Sequence, residues 1–153
     1  MTVVERQIAF ETHATLVERA AHWLARDAGI VLTTISGPHR EEQADVFAAS
    51  RGGDETTVIE CKQSRADFLA DLDKPHRAVG VLALGNRRLY YTVAGLVKPE
   101  EVPEPWGLVY LTPSGNKTVK YARRVESNRK AEYGLMWTAL YQIQRGYRPW
   151  KLP

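Results

Sequence analysis

The sequence predicts an α/β domain in which a mixed central sheet is flanked by helices. Three observations predict it. Apolar residues recur at helical spacing near both ends and in the middle of the chain, short β-branched and aromatic runs lie between them, and Gly- or Pro-containing clusters separate the runs. The order they spell is α-β-β-β-α-β-β-β-α.

Each element has its own signal. From Glu11 to Ala28, the residues Leu16, Ala20, Trp23, Leu24 and Ala28 fall on one helical stripe, and Gly29 supplies a stop. Val31 to Ile35 is rich in β-branched residues and runs into the Ser36-Gly37-Pro38 turn cluster, which predicts a strand. Ala44 to Ala49 and Thr56 to Lys62 predict two more strands, joined by Arg51-Gly52-Gly53-Asp54, whose glycines suit a hairpin. Ser64 followed by Asp67 is a capping signal for a second helix with Phe68, Leu69 and Leu72 as its apolar stripe, and Pro75 should interrupt or restart that helix. Strands are then predicted at Arg88 to Val93 and Trp106 to Leu111, with an edge strand at Thr118 to Ala122 after the Pro113-Ser114-Gly115-Asn116 turn. A final helix carries Tyr133, Met136, Leu140 and Ile143 at helical spacing and ends at Gly146. Trp106, Tyr90 and Tyr91 read as core and sheet packing.

Composition narrows the class. A chain of 153 residues, 44% hydrophobic and 25% charged, fits a single domain over residues 1–153. Such a domain buries roughly 70% of its unfolded surface and needs no staple. Cys61 is the one cysteine, which excludes an intramolecular disulfide and points to a reducing compartment. Glu5 and Arg6 interrupt any apolar signal segment, and the stretch from Ala78 to Leu84 falls far short of the roughly 20 residues of a membrane helix. A cytoplasmic protein with no membrane partner is expected. No phosphate-cradling Gly-x-x-x-x-Gly-Lys loop, Gly-x-Ser-x-Gly elbow or Cys/His zinc spacing is present.

The net charge of +3 is a sum of opposites. Residues 117–153 carry nine cations against two acids, a net of +7, while residues 1–116 carry 12 cations against 16 acids, a net of −4. A basic strand and helix thus follow an acidic core. Arg129 and Lys130 fall in the first turn of the last helix, where the macrodipole disfavours cations and an anionic partner would relieve them. Tyr147, Arg148 and Trp150 add aromatic surface of the kind that stacks on bases.

The acidic part holds the sharpest constellation: Asp45, then Glu60 and Lys62 one hairpin later. Side chains alternate along a strand, so Glu60 and Lys62 share a face and Cys61 points to the other, while antiparallel pairing sets Asp45 beside Glu60. Adjacent carboxylates repel unless a cation joins them, and hard oxygen donors suit Mg²⁺ or Mn²⁺. Such an ion polarises a phosphodiester oxygen and acidifies water, with Lys62 orienting that water or stabilising charge on phosphorus. With 18 acids and 7 lysines, chance alone supplies roughly one acid-x-Lys triplet, so the weight lies in the upstream Asp, the strand beneath and the capped helix after it. Without that context, Glu60 and Lys62 are an ordinary exposed cross-strand pair.

The runs Glu42-Gln43-Ala44-Asp45-Val46, Ile59 to Asp71 and Lys74-Pro75 resemble the PD-(D/E)XK nuclease superfamily, nearest to its MmcB-like DNA repair and phage-encoded small nucleases. The resemblance continues through Arg88 to Tyr91, Gly95 to Pro103 and Trp106 to Leu108, and so covers about residues 11–111. It implies an αβββαβ restriction-endonuclease-like core, with Asp45, Glu60 and Lys62 as the catalytic set and Mg²⁺ or Mn²⁺ held by Asp45, Glu60 and the backbone carbonyl of Cys61. Ala44 stands where the signature has proline, a departure outside the metal-binding set. A further ligand from the first helix is implied at Glu18, with Glu11 the alternative. Glu18 lies about 150° from the apolar stripe, which favours a solvated residue, and His13, on the stripe, reads as a packing residue near the site.

The remaining candidates have ordinary explanations beside the functional ones. Ser64 and Asp67 read as a helix cap before they read as site residues. Cys61, facing away from the acids, reads as a buried strand residue without a base to activate it. Arg65, Lys74 and Arg77 after the motif, and Arg123, Arg124, Arg129 and Lys130 in the basic part, are the candidate DNA-binding cations, or else solvated helix faces. The expectation is a metal-dependent DNA nuclease of repair, recombination or phage DNA processing, possible as a homodimer because one site addresses one strand. The alternative is a catalytically weak DNA-binding or repair accessory module of the same fold.

Overall fold

A computed structural model describes residues 6, 10–34, 42–78 and 80–146. Its helices are α1 (His13–Ala25), α2 (Arg65–Leu72) and α3 (Arg129–Gln144). They flank one sheet of β1 (Ile30–Thr33), β2 (Val46–Ala49), β3 (Thr56–Cys61), β4 (Arg87–Val93), β5 (Gly107–Thr112) and β6 (Gly115–Lys120). The α/β class and the order of elements are those expected. Ile35, the Ser36-Gly37-Pro38 turn, and Tyr147, Arg148, Trp150 and Lys151 lie outside the described residues. No helix among the described residues is long and apolar enough to cross a membrane.

The six strands lie side by side in sequence order. β1, β2 and β3 pair antiparallel, β3, β4 and β5 pair parallel, and β6 returns antiparallel to β5. Parallel neighbours cannot be closed by a tight turn, so the chain leaves the sheet between them. It does so once through α2 and once through residues 94–106, which contain a 3-10 turn at Pro99–Glu101. The ends of the helices are set locally. Thr12 accepts a hydrogen bond from Thr15 N at 3.2 Å to open α1, and Ser64 accepts one from Asp67 N at 3.1 Å to open α2. Pro75 begins a separate 3-10 turn, Pro75–Arg77.

Strand alternation sorts the side chains into two cores. Val58 and Tyr90 join Phe68, Trp106, Leu135 and Ala139 on the face covered by α2 and α3. Ile59, Cys61 and Tyr91 join Leu16, Val17, Ala20 and Ala21 on the face covered by α1. Glu60 shares its parity with Val58, and Lys62 continues it, so both functional candidates face α2 while the Cys61 thiol is buried toward α1. Burying side chains such as Leu16, Ile59 and Phe68 stabilises the fold by about 1.5–3 kcal/mol each.

Several local expectations change. Asp45 sits one residue before β2 rather than on it, although the Val46↔Ile59 pairing still brings it level with Glu60. Leu69 is exposed, and the inward face of α2 is Phe68 with Asp71. On α3 the residues facing the core are Glu132, Leu135 and Ala139, whereas Tyr133, Leu140 and Ile143 are exposed. A polar residue decides that rotation. Glu132 Oε1 accepts from Thr56 Oγ1 at 2.8 Å and from Gly85 N at 2.9 Å, bonds that an outward glutamate would forfeit. The edge strand begins at Gly115 because Asn116 pairs with Leu111, leaving a tighter turn than the sequence suggests.

Gly107 is required by space rather than by its backbone angles. A Cβ there would stand 2.6 Å from Ala122 N, 2.6 Å from Lys120 O and 2.7 Å from Leu89 Cδ2. Two of these atoms are backbone and cannot swing aside. Gly107→Ala is therefore expected to cost about 1–3 kcal/mol, read as a lowered denaturant midpoint; an unchanged midpoint contradicts the close approach.

Candidate functional site

The site is assembled at the C-terminal end of β3. Asp45 Oδ2 accepts a hydrogen bond from Cys61 N at 2.8 Å and lies 3.2 Å from His13 Nε2. The carboxylate is therefore held between the start of α1 and the end of β3. Glu60 and Lys62 are 3% and 4% exposed, and Lys62 Nζ stands 3.4 Å from Glu60 Oε2 and 3.1 Å from Asp71 Oδ1.

Asp71, which no sequence argument singled out, is the centre of the cluster. It accepts from Lys62, from Arg77 Nε at 2.9 Å and from the Tyr90 hydroxyl at 2.7 Å, and it pairs with Lys74 Nζ at 2.7 Å. Its signal was an acid three residues after the buried Phe68, on the inward face of α2. Arg77 extends the network, with Nη2 3.3 Å from Glu60 Oε1 and Nη1 3.4 Å from Glu42 Oε1. Its guanidinium also lies 4.4 Å from the centre of the Trp106 ring, which stacks on Tyr90. Glu42 in turn accepts from Leu84 N at 2.8 Å.

The electrostatics follow from this crowding. Burial pushes the Glu60 carboxyl from an ordinary 4.5 up to about 7, and neighbouring Asp45 adds to the shift; Arg77 and Lys62 pull downward without prevailing. Burial alone would lower the Lys62 ammonium, but Glu60 and Asp71 overcome it and hold Lys62 above its ordinary value. Burial alone would raise Asp71, yet the hydrogen bonds from Arg77 and Lys74 keep it well below the usual carboxylate range. The Cys61 thiol is pushed up, first by burial and then by Asp45 and Glu60, which makes it a poor nucleophile at neutral pH.

These residues have the donor chemistry of a hard divalent cation. Glu60 Oε1 is buried and accepts no aligned hydrogen bond, Arg77 notwithstanding. Among the described residues Asp45 Oδ1 takes no hydrogen bond, since the bonds to Cys61 and His13 both fall on Oδ2. Among the described residues no group of three His, Cys, Asp or Glu side chains forms a ready cage. That is compatible with Mg²⁺, which binds through one or two carboxylates and keeps several waters. Glu18 does not join this site: it is exposed on α1, and Glu11 is engaged by Arg19 at 2.9 Å. His13 is the α1 residue that reaches Asp45, so the expectation of a packing histidine gives way to a hydrogen-bonding one.

The candidate DNA-binding cations divide. Arg77 is nearly buried and committed to three carboxylates, so its charge is spent within the chain rather than on an exposed phosphate-binding face. Arg65 is engaged by Glu101 at 2.5 Å, Arg124 by Asp54 O at 3.3 Å, and Arg129 by Asp54 O at 2.9 Å and Glu132 at 3.3 Å. Glu132, in the first turn of α3, thus offsets the misplaced charge of Arg129 from within the chain. Lys74 pairs with Asp71 and is half-exposed. Among the described residues the side chains of Arg123 and Lys130 make no ion pair or hydrogen bond.

No family model and no curated protein matches this chain. A solved structure, the SPO1766 protein of unknown function from Silicibacter pomeroyi, superposes with a TM-score of 0.66 at 22% sequence identity, covering 93% of this chain and 99% of that one. At that identity the likeness is one of fold.

Proposed function

We propose that this chain is a divalent-metal-dependent nuclease that hydrolyses DNA phosphodiesters, in repair, recombination or phage DNA processing. One observation carries the reading. A buried carboxylate, Glu60, has an oxygen without an aligned partner, a second carboxylate at its side and a protonated lysine against it. That arrangement is poorly satisfied by the protein alone and well matched to a bound cation and a phosphate.

Asp45, Glu60 and the Cys61 carbonyl would hold Mg²⁺ or Mn²⁺, which supplies Lewis acidity toward a phosphodiester oxygen and acidifies water. Lys62 has three N–H donors and directs them at Glu60 and Asp71 with one to spare, which is available to a phosphoryl oxygen gaining charge. Because its neighbours keep it protonated, Lys62 orients and stabilises rather than removing a proton. Asp71 and Arg77 position Glu60 and Lys62, and His13 holds Asp45.

The test is cleavage of linear, nicked and single-stranded DNA. Cutting is expected with Mn²⁺ or Mg²⁺, is expected to stop with chelator, and should fall by at least about 100-fold in Asp45→Ala. Cutting that survives both Asp45→Ala and Glu60→Ala overturns the proposal. One observation favours the accessory module instead: Glu60 already faces two protein cations, Lys62 and Arg77. DNA binding without Asp45-dependent metal binding selects that reading.

A further inference from the structure

A cleft of about 510 Å³ opens on the α2 face of the sheet. It shares Arg77 and Tyr90 with the acid cluster, but its described lining includes none of Asp45, Glu60 and Lys62. Its volume falls in the roughly 300–1,000 Å³ range of small-molecule sites. The notable group in it is Arg88, on β4, which is only 8% exposed.

Arg88 Nε donates to Leu84 O at 3.0 Å and Gly85 O at 3.2 Å, which fixes the plane of the guanidinium. Among the described residues its two terminal nitrogens make no hydrogen bond and no ion pair. A nearly buried guanidinium with no carboxylate in ion-pair contact is costly: burial lowers its pKa, the more distant Glu42 and Glu132 charges oppose that shift without overcoming it, and the Arg77 charge adds to it. Arg77 cannot share a partner with it, since Glu42, Glu60 and Asp71 already engage that guanidinium.

The other charged residues lining the cleft sharpen the ligand. Glu101 is engaged by Arg65 and Glu104 by Lys120, so neither is free to neutralise Arg88, and the third acid of the lining, Glu126, is exposed and offers a single carboxylate against two guanidiniums. Arg123, exposed and without an ion pair or side-chain hydrogen bond among the described residues, brings a second guanidinium. Two such groups suit a dianion better than a single carboxylate, and a phosphate monoester carries about −1.5 to −2 at neutral pH. Val81, Pro103 and Pro105 supply an apolar wall for the body of the ligand.

We propose that this cleft is a phosphate-monoester site, with the phosphate on Arg88 and Arg123 and a nucleoside-sized body against Val81, Pro103 and Pro105. The site stands apart from the nuclease reading and does not require it. Two sources carry this chemistry, a free mononucleotide and the phosphorylated end of a nucleic-acid strand.

Calorimetric titration of the purified chain distinguishes them. Thymidine 5′-monophosphate is expected to bind at least 10-fold more tightly than thymidine, with inorganic phosphate competing. Val81→Glu, at the exposed mouth of the cleft, should weaken the nucleotide at least 10-fold and Arg123→Ala severalfold, while Asp45→Asn leaves it unchanged. Both substituted positions in the cleft are partly or fully exposed, so folding is retained and checked by circular dichroism. Competition by a 5′-phosphorylated oligonucleotide but not its 5′-hydroxyl form supports the site with a strand end as its source, and competition by neither supports it with a free nucleotide. Equal binding of thymidine and its monophosphate overturns the proposal, as does undiminished binding in Val81→Glu and Arg123→Ala.

Discussion

Glu60→Gln is expected to abolish cleavage and at the same time to stabilise the fold at pH 8. The two effects share one cause. Raising a carboxyl from 4.5 to about 7 means that the folded chain holds the charged form at a disadvantage of about 3 kcal/mol. A group whose pKa is raised on folding contributes its full stability below its unfolded value and loses it as pH rises through the folded one. For Glu60 that window runs from pH 4.5 to about 7. Below it Glu60 is protonated in both states and glutamine resembles it; above it only the wild type carries the buried charge. Lys62 and Arg77 are not orphaned by the change, because Asp71 still faces both.

Thermal unfolding checks this directly. The advantage of Glu60→Gln should reach at most about 3 kcal/mol at pH 8 and shrink toward zero at pH 5. A variant less stable than wild type at pH 8 and indistinguishable from it at pH 5 contradicts the argument. Mg²⁺ or Mn²⁺ should raise the wild-type midpoint at pH 8 by binding the folded state, and should raise that of Glu60→Gln much less.

Asp71→Asn should have the opposite sign and a comparable or larger size. Asp71 is fully buried and faces Lys62, Lys74, Arg77 and the Tyr90 hydroxyl. Removing its charge leaves Lys62 with Glu60 alone, itself reluctant to ionise, and Arg77 with Glu60 and Glu42. Breaking one partner of a buried charge cluster costs about 3–5 kcal/mol, or roughly 6–20 °C in melting temperature for a chain of this size. The sign of the pH dependence is also set. A carboxyl lowered on folding stabilises above its unfolded pKa, near 3.9, and loses that stability as pH falls through the lower folded value. The gap between wild type and Asp71→Asn should therefore be full at neutral pH and narrow below about pH 4. Lys74→Met, which removes a half-exposed partner, should cost less than about 1 kcal/mol. Equal losses in the two variants would place the cluster's stability elsewhere.

Features that depend on residues close in sequence were legible in the chain itself. Strand parity placed Glu60 and Lys62 on one face and Cys61 on the other, because a strand repeats every two residues whatever it packs against. Ser64 announced the start of α2, because a cap is satisfied within three residues. The hairpin at Gly52-Gly53 carried Asp45 to Glu60 through a short loop, an inference that needed only antiparallel pairing.

The rest depended on where α1, α2 and α3 came to lie. Apolar spacing suggested outward and inward faces for α2 and α3, but Asp71 and Glu132 turned inward because each found several donors at once on distant elements. Similarly, Arg77 looked like a surface cation until three acids, separated from it by as many as 35 residues, met around it. Burying a charge is costly unless it is partnered, and the partners of Asp71, Arg77 and Glu132 come from segments far apart in the chain rather than from any local pattern. The linear order of residues was thus enough to define the elements, their succession and the pairing of Asp45, Glu60 and Lys62. Folding alone selected which charges hold that trio in place and which are left facing a cleft, because those choices turn on desolvation among residues that become neighbours only in the packed domain.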